Sequence, residues 1–303
     1  MATLSLPQRM LGRLGRVQAE PGSGVWYFRR DRIAMLSLAC IILMILVAVF
    51  APLLTAYPDQ GRGTPDIANK LQPPSLDHPF GTDPLGRDIL ARVAFGARTA
   101  LLAGITIQIV SVLIGTALGA LAGYFGGWVD ETIMRITDIF LAFPPLLLAM
   151  TIAAVLEPSL RNAILAITLA WWPWYTRLVR GQVISVRERD YIKAARGIGV
   201  YDVTIIFRHV VPNVMTPVIV QATLDLGAAI LTVSALSFLG LGVPPPIADW
   251  GSMVSEGRMY VQNGRWWIPT FPGLALFLTI MAFNLLGDGI QMVVNPKLRG
   301  GGQ

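Results

Sequence analysis

The sequence predicts an all-α polytopic membrane protein with six transmembrane helices. Of its 303 residues, 54% are hydrophobic and only 14% are charged, a balance unlike that of a soluble domain. Six apolar segments recur along the chain, at residues 33–54, 100–125, 136–156, 162–179, 214–243 and 268–294. Each approaches or exceeds the length of about 20 residues that a helix needs to cross a bilayer.

The N-terminal region predicts a membrane anchor preceded by a cytoplasmic segment, residues 1–32. That segment is polar and carries six arginines. Segment 33–54 contains no charged residue, and it starts too late and runs too long for a typical cleaved signal peptide. We therefore expect an uncleaved first transmembrane helix.

An extracytoplasmic loop rich in Pro, Gly and Asp is predicted at residues 55–98, with an amphipathic helix starting near Asp88. Asp83, Arg87 and Asp88 could form a catalytic carboxylate cluster. Because no metal-ligand set or nucleophile–base pair accompanies them, the sequence favours a structural turn or a dock for an external receptor.

The second span contains four glycines at every fourth position, namely Gly115, Gly119, Gly123 and Gly127. Such a register gives a helix one bare face, which lets another helix pack at close range in lipid. We interpret this face as a helix-packing surface, not as a ligand site.

The third and fourth spans each carry an interruption of the apolar pattern. Pro144 and Pro145 remove backbone donors from the third, so a kink or break is expected there. The fourth has an aromatic cluster, residues 171–175, which is either an interfacial belt or a wall of a transport path. The belt is the favoured interpretation.

Two carboxylates interrupt the last two spans, Asp225 in the fifth and Asp288 near the end of the sixth. An ionisable side chain in hydrocarbon costs at least about 2.5–3.5 kcal/mol when unpaired. One interpretation is a substrate-contact or gating site in a pathway. The other, favoured here, is that both side chains lie near the cytoplasmic end and are paired or hydrated there.

The polar stretch 187–212 separates the fourth span from the fifth and cannot lie in hydrocarbon, because six charged residues fall within its first ten positions. Ala194, Ala195 and Gly199 leave little side-chain volume there. Small residues permit close approach, and glycine can end a helix in a left-handed conformation. The stretch predicts a short helix over 190–198, a glycine turn and a second helical piece reaching Pro212. We interpret it as a surface for a partner protein; the alternative is an ordinary cytoplasmic loop with a helix and a glycine stop.

The distribution of arginine and lysine predicts the orientation. With both termini in the cytoplasm, the cytoplasmic side holds sixteen basic residues and the opposite side holds eight. This N-in/C-in arrangement leaves a cytoplasmic tail at 295–303 and places stretch 187–212 in the cytoplasm.

Several classes of function are poorly supported. With one cysteine, Cys40, and two histidines, the chain lacks the residues for a Cys or His metal site or nucleophilic centre. No lysine precedes Ser or Thr, so no phosphate-binding P-loop exists. An intramembrane enzyme is therefore disfavoured. An autonomous secondary transporter is also disfavoured, because neither midplane ionisable residues nor an inverted repeat is found.

The stretch 187–212 resembles the "EAA" coupling loop of ABC-importer permeases, in which Glu-Ala-Ala precedes a glycine and then Ile-x-Leu-Pro. Ala194, Ala195, Gly199 and Pro212 fall at the matching positions, whereas Lys193 replaces the glutamate. The resemblance implies that this region, residues 181–213, couples the chain to ATPase subunits. We call residues 181–213 the coupling loop.

Further stretches resemble the C-type permease subunit of the dipeptide, oligopeptide and nickel branch of these importers. They are FRRDRIAMLSL, HPFGTDPLGRDILARVAFGAR, ALSFLGLGVPPPIADWGSM and PTFPGLALFLTIMAFNLLGDGIQ. The resemblance implies a type I ABC importer permease fold with a five-helix core over 99–294, located in the cell inner membrane. It also implies a second homologous permease, two cytoplasmic ATPases that bind ATP and Mg, and an extracytoplasmic solute-binding protein. No cofactor on this chain and no nucleic acid is expected, and peptides are the expected substrate, with nickel or glutathione as alternatives.

Overall fold

The computed structural model describes residues 24–294, and within that range the chain is built almost entirely from helices. The part before the predicted core contains α1 (Gly24–Arg30), α2 (Arg32–Leu54) and the short α3 (Pro58–Gly61). The predicted N-terminal segment before residue 24 and the predicted tail at 295–303 lie outside the described residues.

The remaining helices form the core and its connections. They are α4 (Ile89–Phe125), α5 (Gly127–Leu141), α6 (Pro145–Val155), α7 (Leu160–Arg187), α8 (Asp190–Gly197), α9 (Asp202–Ile205), α10 (Val211–Phe238), α11 (Trp250–Gly257) and α12 (Trp267–Val294). A π-helical turn, Ile206–Val210, joins α9 to α10, so that Asp202–Phe238 forms one long helix.

Four of the described helices are long and apolar enough to cross a membrane: Arg32–Leu54, Ile89–Phe125, Asp202–Phe238 and Trp267–Val294. The bent pair α5 and α6 gives a fifth if it is counted as one span. The fourth predicted span, residues 162–179, lies in α7, which falls outside this set because Trp, Pro, Tyr and Arg residues fill its second half. The all-helical, membrane-spanning class is confirmed, with four to five spans by length and composition instead of six.

The break in the third span falls at the proline pair. Helix α5 ends at Leu141, α6 begins at Pro145, and the two axes differ by 84°. Pro144 has an extended ψ of 128°, and Pro145 occupies the first turn of α6, where its missing N–H removes no hydrogen bond. The pair therefore ends one helix and starts the next.

Contacts between helices show which ends of the bundle coincide. A Cβ added at Gly289, near the end of α12, would lie 2.7 Å from the Cβ of Ala34 at the start of α2. At the other end of α2, Arg98 on α4 donates hydrogen bonds to the carbonyls of Ala48 and Val49. The start of α2 and the end of α12 therefore share one end of the bundle. Helix α4 runs toward that end, which we call the coupling end because α8 also lies there.

The glycine face of α4 packs directly on the backbone of α7. A Cβ added at Gly119 would lie 2.6 Å from the carbonyl oxygen of Thr176, and one at Gly123 would lie 2.9 Å from that of Arg180. Gly115 similarly approaches the Thr176 amide at 2.9 Å. These distances leave no room for a side chain, so the face holds two parallel helices in backbone contact.

The fourth glycine of the predicted face does not belong to it. Helix α4 ends at Phe125, and Gly126 and Gly127 take positive φ values of 68° and 52° as the chain turns into α5. A Cβ at Gly127 would meet no atom within 4 Å. The glycine packing face is therefore limited to Gly115, Gly119 and Gly123, because α4 ends before Gly127.

Candidate functional site

The coupling loop forms a short helix held at an angle by a glycine turn. Helix α8 starts at Asp190, after a two-residue turn from α7, and ends at Gly197. Gly199 has a φ of 82°, and its amide donates to the Arg196 carbonyl while the Val200 amide donates to that of Ala195. These bonds close the helix in the left-handed way that glycine permits. Pro212 lies in the first turn of α10, well after the glycine turn.

One tyrosine ties the coupling loop to the end of α4. The Tyr124 hydroxyl lies 2.5 Å from Asp202 Oδ1, at the start of α9, and accepts a hydrogen bond of 3.2 Å from Arg196 Nε. The Arg196 guanidinium also stacks over the Tyr124 ring at 4.4 Å. Arg187 donates to the carbonyls of Gly123 and Tyr124 at 3.0 and 3.3 Å. The loop is therefore fixed to the transmembrane bundle through charge-assisted contacts on both sides of α8.

Apolar packing on the side of α8 that faces the bundle adds to this attachment. Ile192 is fully buried against a cluster that includes Val183, Val186 and Ile205. Ala195 is half-buried and packs on the same cluster, whereas Ala194 and Lys193 face outward. The two alanines therefore have different surroundings, which their adjacent positions in the sequence could not reveal.

The outward surface of the coupling loop is strongly apolar for a polar segment. The side chains of Val203, Phe207, Ile198 and Tyr201 are 64%, 71%, 81% and 83% exposed, respectively. Large apolar residues exposed within a polar segment are typical of an interaction site. We call these four residues, together with the exposed Ala194, the docking patch.

Lys193, which stands where the family pattern has glutamate, forms an exposed ion pair inside the loop. Its Nζ lies 3.5 Å from Glu188 Oε2. The Lys193 ammonium and the adjacent Arg187 guanidinium hold the pKa of the Glu188 carboxyl below its ordinary value. Exposed pairs of this kind contribute little to stability.

Asp225 is held by neutral donors from two helices. The Tyr175 hydroxyl on α7 donates to its Oδ2 at 2.5 Å, and the Gln221 amide donates to its Oδ1 at 2.9 Å. Gln108 on α4 in turn donates to the Tyr175 hydroxyl. Asp225 itself is half-buried, whereas Tyr175 and Gln108 are buried. The structure therefore gives Asp225 hydrogen-bond partners and leaves part of its carboxylate accessible.

Asp288 lies on α12 at nearly the same level as Asp225 on α10. It is exposed on α12, next to Gly289, whose backbone packs on Ala34 at the start of α2. Leu224 packs on Gly287, which places Asp225 at a similar level but on the neighbouring helix. The two carboxylates are not joined by any hydrogen bond or shared partner among the described residues.

The aromatic cluster of α7 is divided between two environments. Trp174 is more than half exposed, as an interfacial residue would be. Trp172 is buried and packs edge-on against Phe140 at 5.3 Å, and Tyr175 is buried in the hydrogen-bond chain to Asp225. The belt interpretation therefore does not extend to Trp172 and Tyr175.

At the end of the bundle opposite the coupling end, the Asp83 turn is a buried structural network. Arg87 Nε and Arg92 Nη1 donate to Asp83 Oδ2 at 2.6 and 2.7 Å, and both guanidiniums lie 3.3 Å from Glu256 on α11. Asp88 caps α4 by accepting from the Ala91 amide at 2.7 Å. With the Asp83 and Arg87 side chains 3% or less exposed, the turn fixes the start of α4 and offers no open catalytic site.

Several residues of these sites carry no signal in the sequence. Tyr124 and Tyr175 lie in apolar segments where an aromatic residue is ordinary, and their partners are 50 to 78 residues away in the chain. Gln108 and Gln221 are clues that the sequence does offer, because an amide within an apolar segment needs a partner. Among residues 24–294, no group of three His, Cys, Asp or Glu side chains could hold a metal ion.

Taken together, the described residues form a polytopic helical bundle with exposed apolar residues in the coupling loop at one end. The model of the family described as "Binding-protein-dependent transport system inner membrane component" matches residues 115–300, and that of the "N-terminal TM domain of oligopeptide transport permease C" matches residues 22–74. The chain belongs to this family of binding-protein-dependent inner membrane components, and it is a membrane protein of the permease class.

Curated relatives match along most of the chain. The dipeptide transport system permease protein DppC of Alkalihalophilus pseudofirmus is 45% identical, covering 89% of this chain and 88% of the relative. The probable D,D-dipeptide transport system permease protein DdpC of Escherichia coli is 44% identical over 91% of each chain. The glutathione transport system permease protein GsiD of Escherichia coli is 42% identical over 90% of this chain and 89% of the relative.

A solved structure supports the fold independently. The inward-facing MetNI methionine ABC transporter matches with a TM-score of 0.55 and 18% identity, covering 68% of this chain and 98% of the solved chain. At this identity the likeness establishes the fold, which is that of an ABC importer permease.

Proposed function

We propose that this chain is one of two permease subunits of an ATP-driven importer for peptides of the dipeptide and oligopeptide class. The observation that carries the proposal is the docking patch, an exposed apolar surface on α8 and the segment that follows it, at the proposed cytoplasmic end. Such a surface needs a protein partner to cover it.

The partner that fits this surface is a cytoplasmic ATPase subunit. Tyr124, Arg187 and Arg196 tie the loop to α4 and α7, so a displacement of α8 would be transmitted to both helices without an intervening flexible linker. Closure of an ATPase dimer would thereby switch the permease between inward- and outward-facing states. The chain contributes motion, and ATP and Mg would be bound by the ATPases.

The orientation of the chain is part of the same proposal. The basic asymmetry places both termini and the coupling loop in the cytoplasm. The opposite end, with its buried Asp83 network and α11, would then receive a solute-binding protein outside. The second half of the pathway would come from a homologous permease.

Peptides are proposed as substrate because two relatives at 44–45% identity are named as dipeptide permeases. Glutathione is the second candidate, since a glutathione permease is 42% identical. Uptake by the reconstituted assembly, with labelled dipeptide and labelled glutathione offered at equal concentration, decides between them.

The coupling assignment is tested with charge placed in the docking patch. Ile198→Asp and Ala194→Glu add a carboxylate to exposed positions, so neither should affect folding or membrane insertion. Both should abolish co-purification with the ATPases, or ligand-stimulated ATP hydrolysis where the complex survives, because a buried unpaired carboxylate costs several kcal/mol.

Matched controls separate coupling from general damage. Leu76→Asp makes the same kind of change at a fully exposed apolar residue in the opposite loop and should leave ATPase binding intact. Ala195→Glu acts differently, because Ala195 packs inward, and it should loosen α8 itself. Gly199→Val strains a φ of 82° and should alter the helix angle, whereas Lys193→Ala should be mild. Normal association and transport in both docking-patch variants would refute the assignment.

A further inference from the structure

The carboxylate of Asp225 lies within the membrane-spanning part of the bundle. Leu224 packs on Gly287, and Gly227 faces the Ile280 carbonyl at a Cβ distance of 3.2 Å, so Asp225 lies between these two levels of α12. On α2 the corresponding levels are bracketed by Ala34, which contacts Gly289, and Met44, which accepts a hydrogen bond from Thr279. Along the bundle axis, Asp225 therefore lies at a depth that α2 (Arg32–Leu54) also covers, in the half nearer the coupling end.

Within residues 24–294, this carboxylate has no cationic partner. Its two oxygens each accept one hydrogen bond, from the neutral Tyr175 hydroxyl and the neutral Gln221 amide. The ion pairs formed within residues 24–294 involve other acids. Each carboxylate oxygen can accept a further hydrogen bond. The side chain is thus oriented by its neighbours and remains free to accept from a third group.

The orientation of the Asp225 carboxylate is set by residues that are themselves buried. Tyr175 is 1% exposed, because Gly115 of α4 packs against its backbone. The buried Gln108 amide holds the far side of the hydroxyl, and its own Oε1 has no hydrogen-bond partner. A buried polar chain of this kind fixes its last member in one position.

The accessible side of Asp225 cannot face lipid. An ionisable side chain within hydrocarbon is costly, and such groups face a bundle interior or a water-filled cavity. Ala228, one helical turn further on the same side, is exposed in this chain, and Gln221, one turn before, is half-exposed. A carboxylate at this depth therefore requires an aqueous space on this side of α10.

We propose that Asp225 forms a cation-preferring site in the translocation path, which accepts hydrogen bonds from the α-ammonium group of a passing peptide. The inference rests on the proposed function and names the chemistry of one point in the path. An ammonium fits better than a metal ion, because no group of metal-ligating side chains surrounds Asp225 in the described chain. Tyr175 and Gln108 act as positioning residues for the carboxylate.

The test uses Ala228→Cys as a reporter in a Cys40→Ser background, within the full transporter complex. Labelling rates are measured with a cationic and an anionic methanethiosulfonate reagent, each normalised to its rate with a small thiol in water. The cationic reagent should be favoured by about tenfold, because the reporter lies about 5–6 Å from Asp225. The preference should fall to about one in Asp225→Asn, and saturating binding protein with dipeptide should slow cationic labelling.

Controls make each outcome decisive. Leu43→Cys, on an exposed apolar part of α2, should react with neither reagent. Thr232→Cys, one turn beyond Ala228, replaces the reporter if that variant fails to assemble. No labelling at the reporter, equal normalised rates, or labelling unaffected by dipeptide would overturn the inference. ATP-driven dipeptide uptake is measured on the same preparation, so that absence of uptake identifies failure of the proposed function instead.

Discussion

Replacing Gly119 with alanine should destabilise the bundle, although the change adds a single methyl group. The added Cβ would lie 2.6 Å from the Thr176 carbonyl oxygen and 2.8 Å from the Val179 Cβ. Ordinary contacts of this kind are about 3.5–4.0 Å, so the helices must separate by roughly 1 Å. Because the obstructing atoms include backbone, rotamer changes cannot relieve the overlap.

The expected loss follows from the cost of overpacking. Insertion of a methylene into a packed core costs about 1–3 kcal/mol, and a contact with backbone belongs at the upper end of that range. Gly119→Leu should cost more and should prevent assembly of α4 with α7. The assay is the thermal unfolding midpoint of the purified chain in detergent, followed by the yield of monodisperse complex.

Gly181→Ala provides a matched control on the partner helix. A Cβ at Gly181 meets no atom within 4 Å, so only the backbone effect of the substitution remains. Alanine in a helix is favoured over glycine by about 1 kcal/mol, so this variant should be slightly more stable. If Gly119→Ala matches Gly181→Ala in midpoint and yield, α4 and α7 are not in backbone contact and the argument fails.

Two further predictions concern topology and pH. In a Cys40→Ser background, Ile198→Cys should be labelled only from the cytoplasm and Met259→Cys only from outside. Gly251 is unsuitable as the outside position because a side chain there would collide with the Ser234 backbone. The reverse labelling pattern would overturn the orientation. Burial raises the pKa of Asp249 to about 6, so between about pH 4 and 6 the folded state binds more protons at this group than the unfolded state does. The free energy of unfolding therefore falls as pH rises through that range. Asp249→Asn should remove this component, worth at most about 3 kcal/mol, and a mutant-minus-wild-type difference in unfolding midpoint that is constant from pH 4 to 7 would contradict it.

The local features of the fold were predictable because they depend on neighbours in the sequence. Apolar runs fixed the positions of α2 and α12 to within a residue or two. The adjacent Pro144 and Pro145 mark the break between α5 and α6, and Gly199 permits the left-handed turn after α8. The predicted loop 55–98 is only partly a loop, since the amphipathic helix expected from Asp88 continues without interruption into the second span.

The candidate sites depended on long-range contacts that local pattern does not encode. Asp225 could be recognised as unusual, but its partner Tyr175 is 50 residues away on a different helix. The burial of Arg92, which a hydropathy argument would place in water, follows only from its pairing with Asp83 and Glu256. The different surroundings of Ala194 and Ala195 likewise arise from the direction in which α8 docks on the bundle.

Helix α4 has a mechanical consequence as a lever. Its 37 residues extend about 55 Å, from the buried ion pairs of Arg92 at one end to the Tyr124 contacts at the other. A tilt of roughly 5° about its midpoint would displace each end by about 2 Å in opposite directions, given that length. Both ends of α4 are held by contacts with charged groups. A displacement of one end would therefore move the opposite end by rigid-body tilting, without side-chain rearrangements in between.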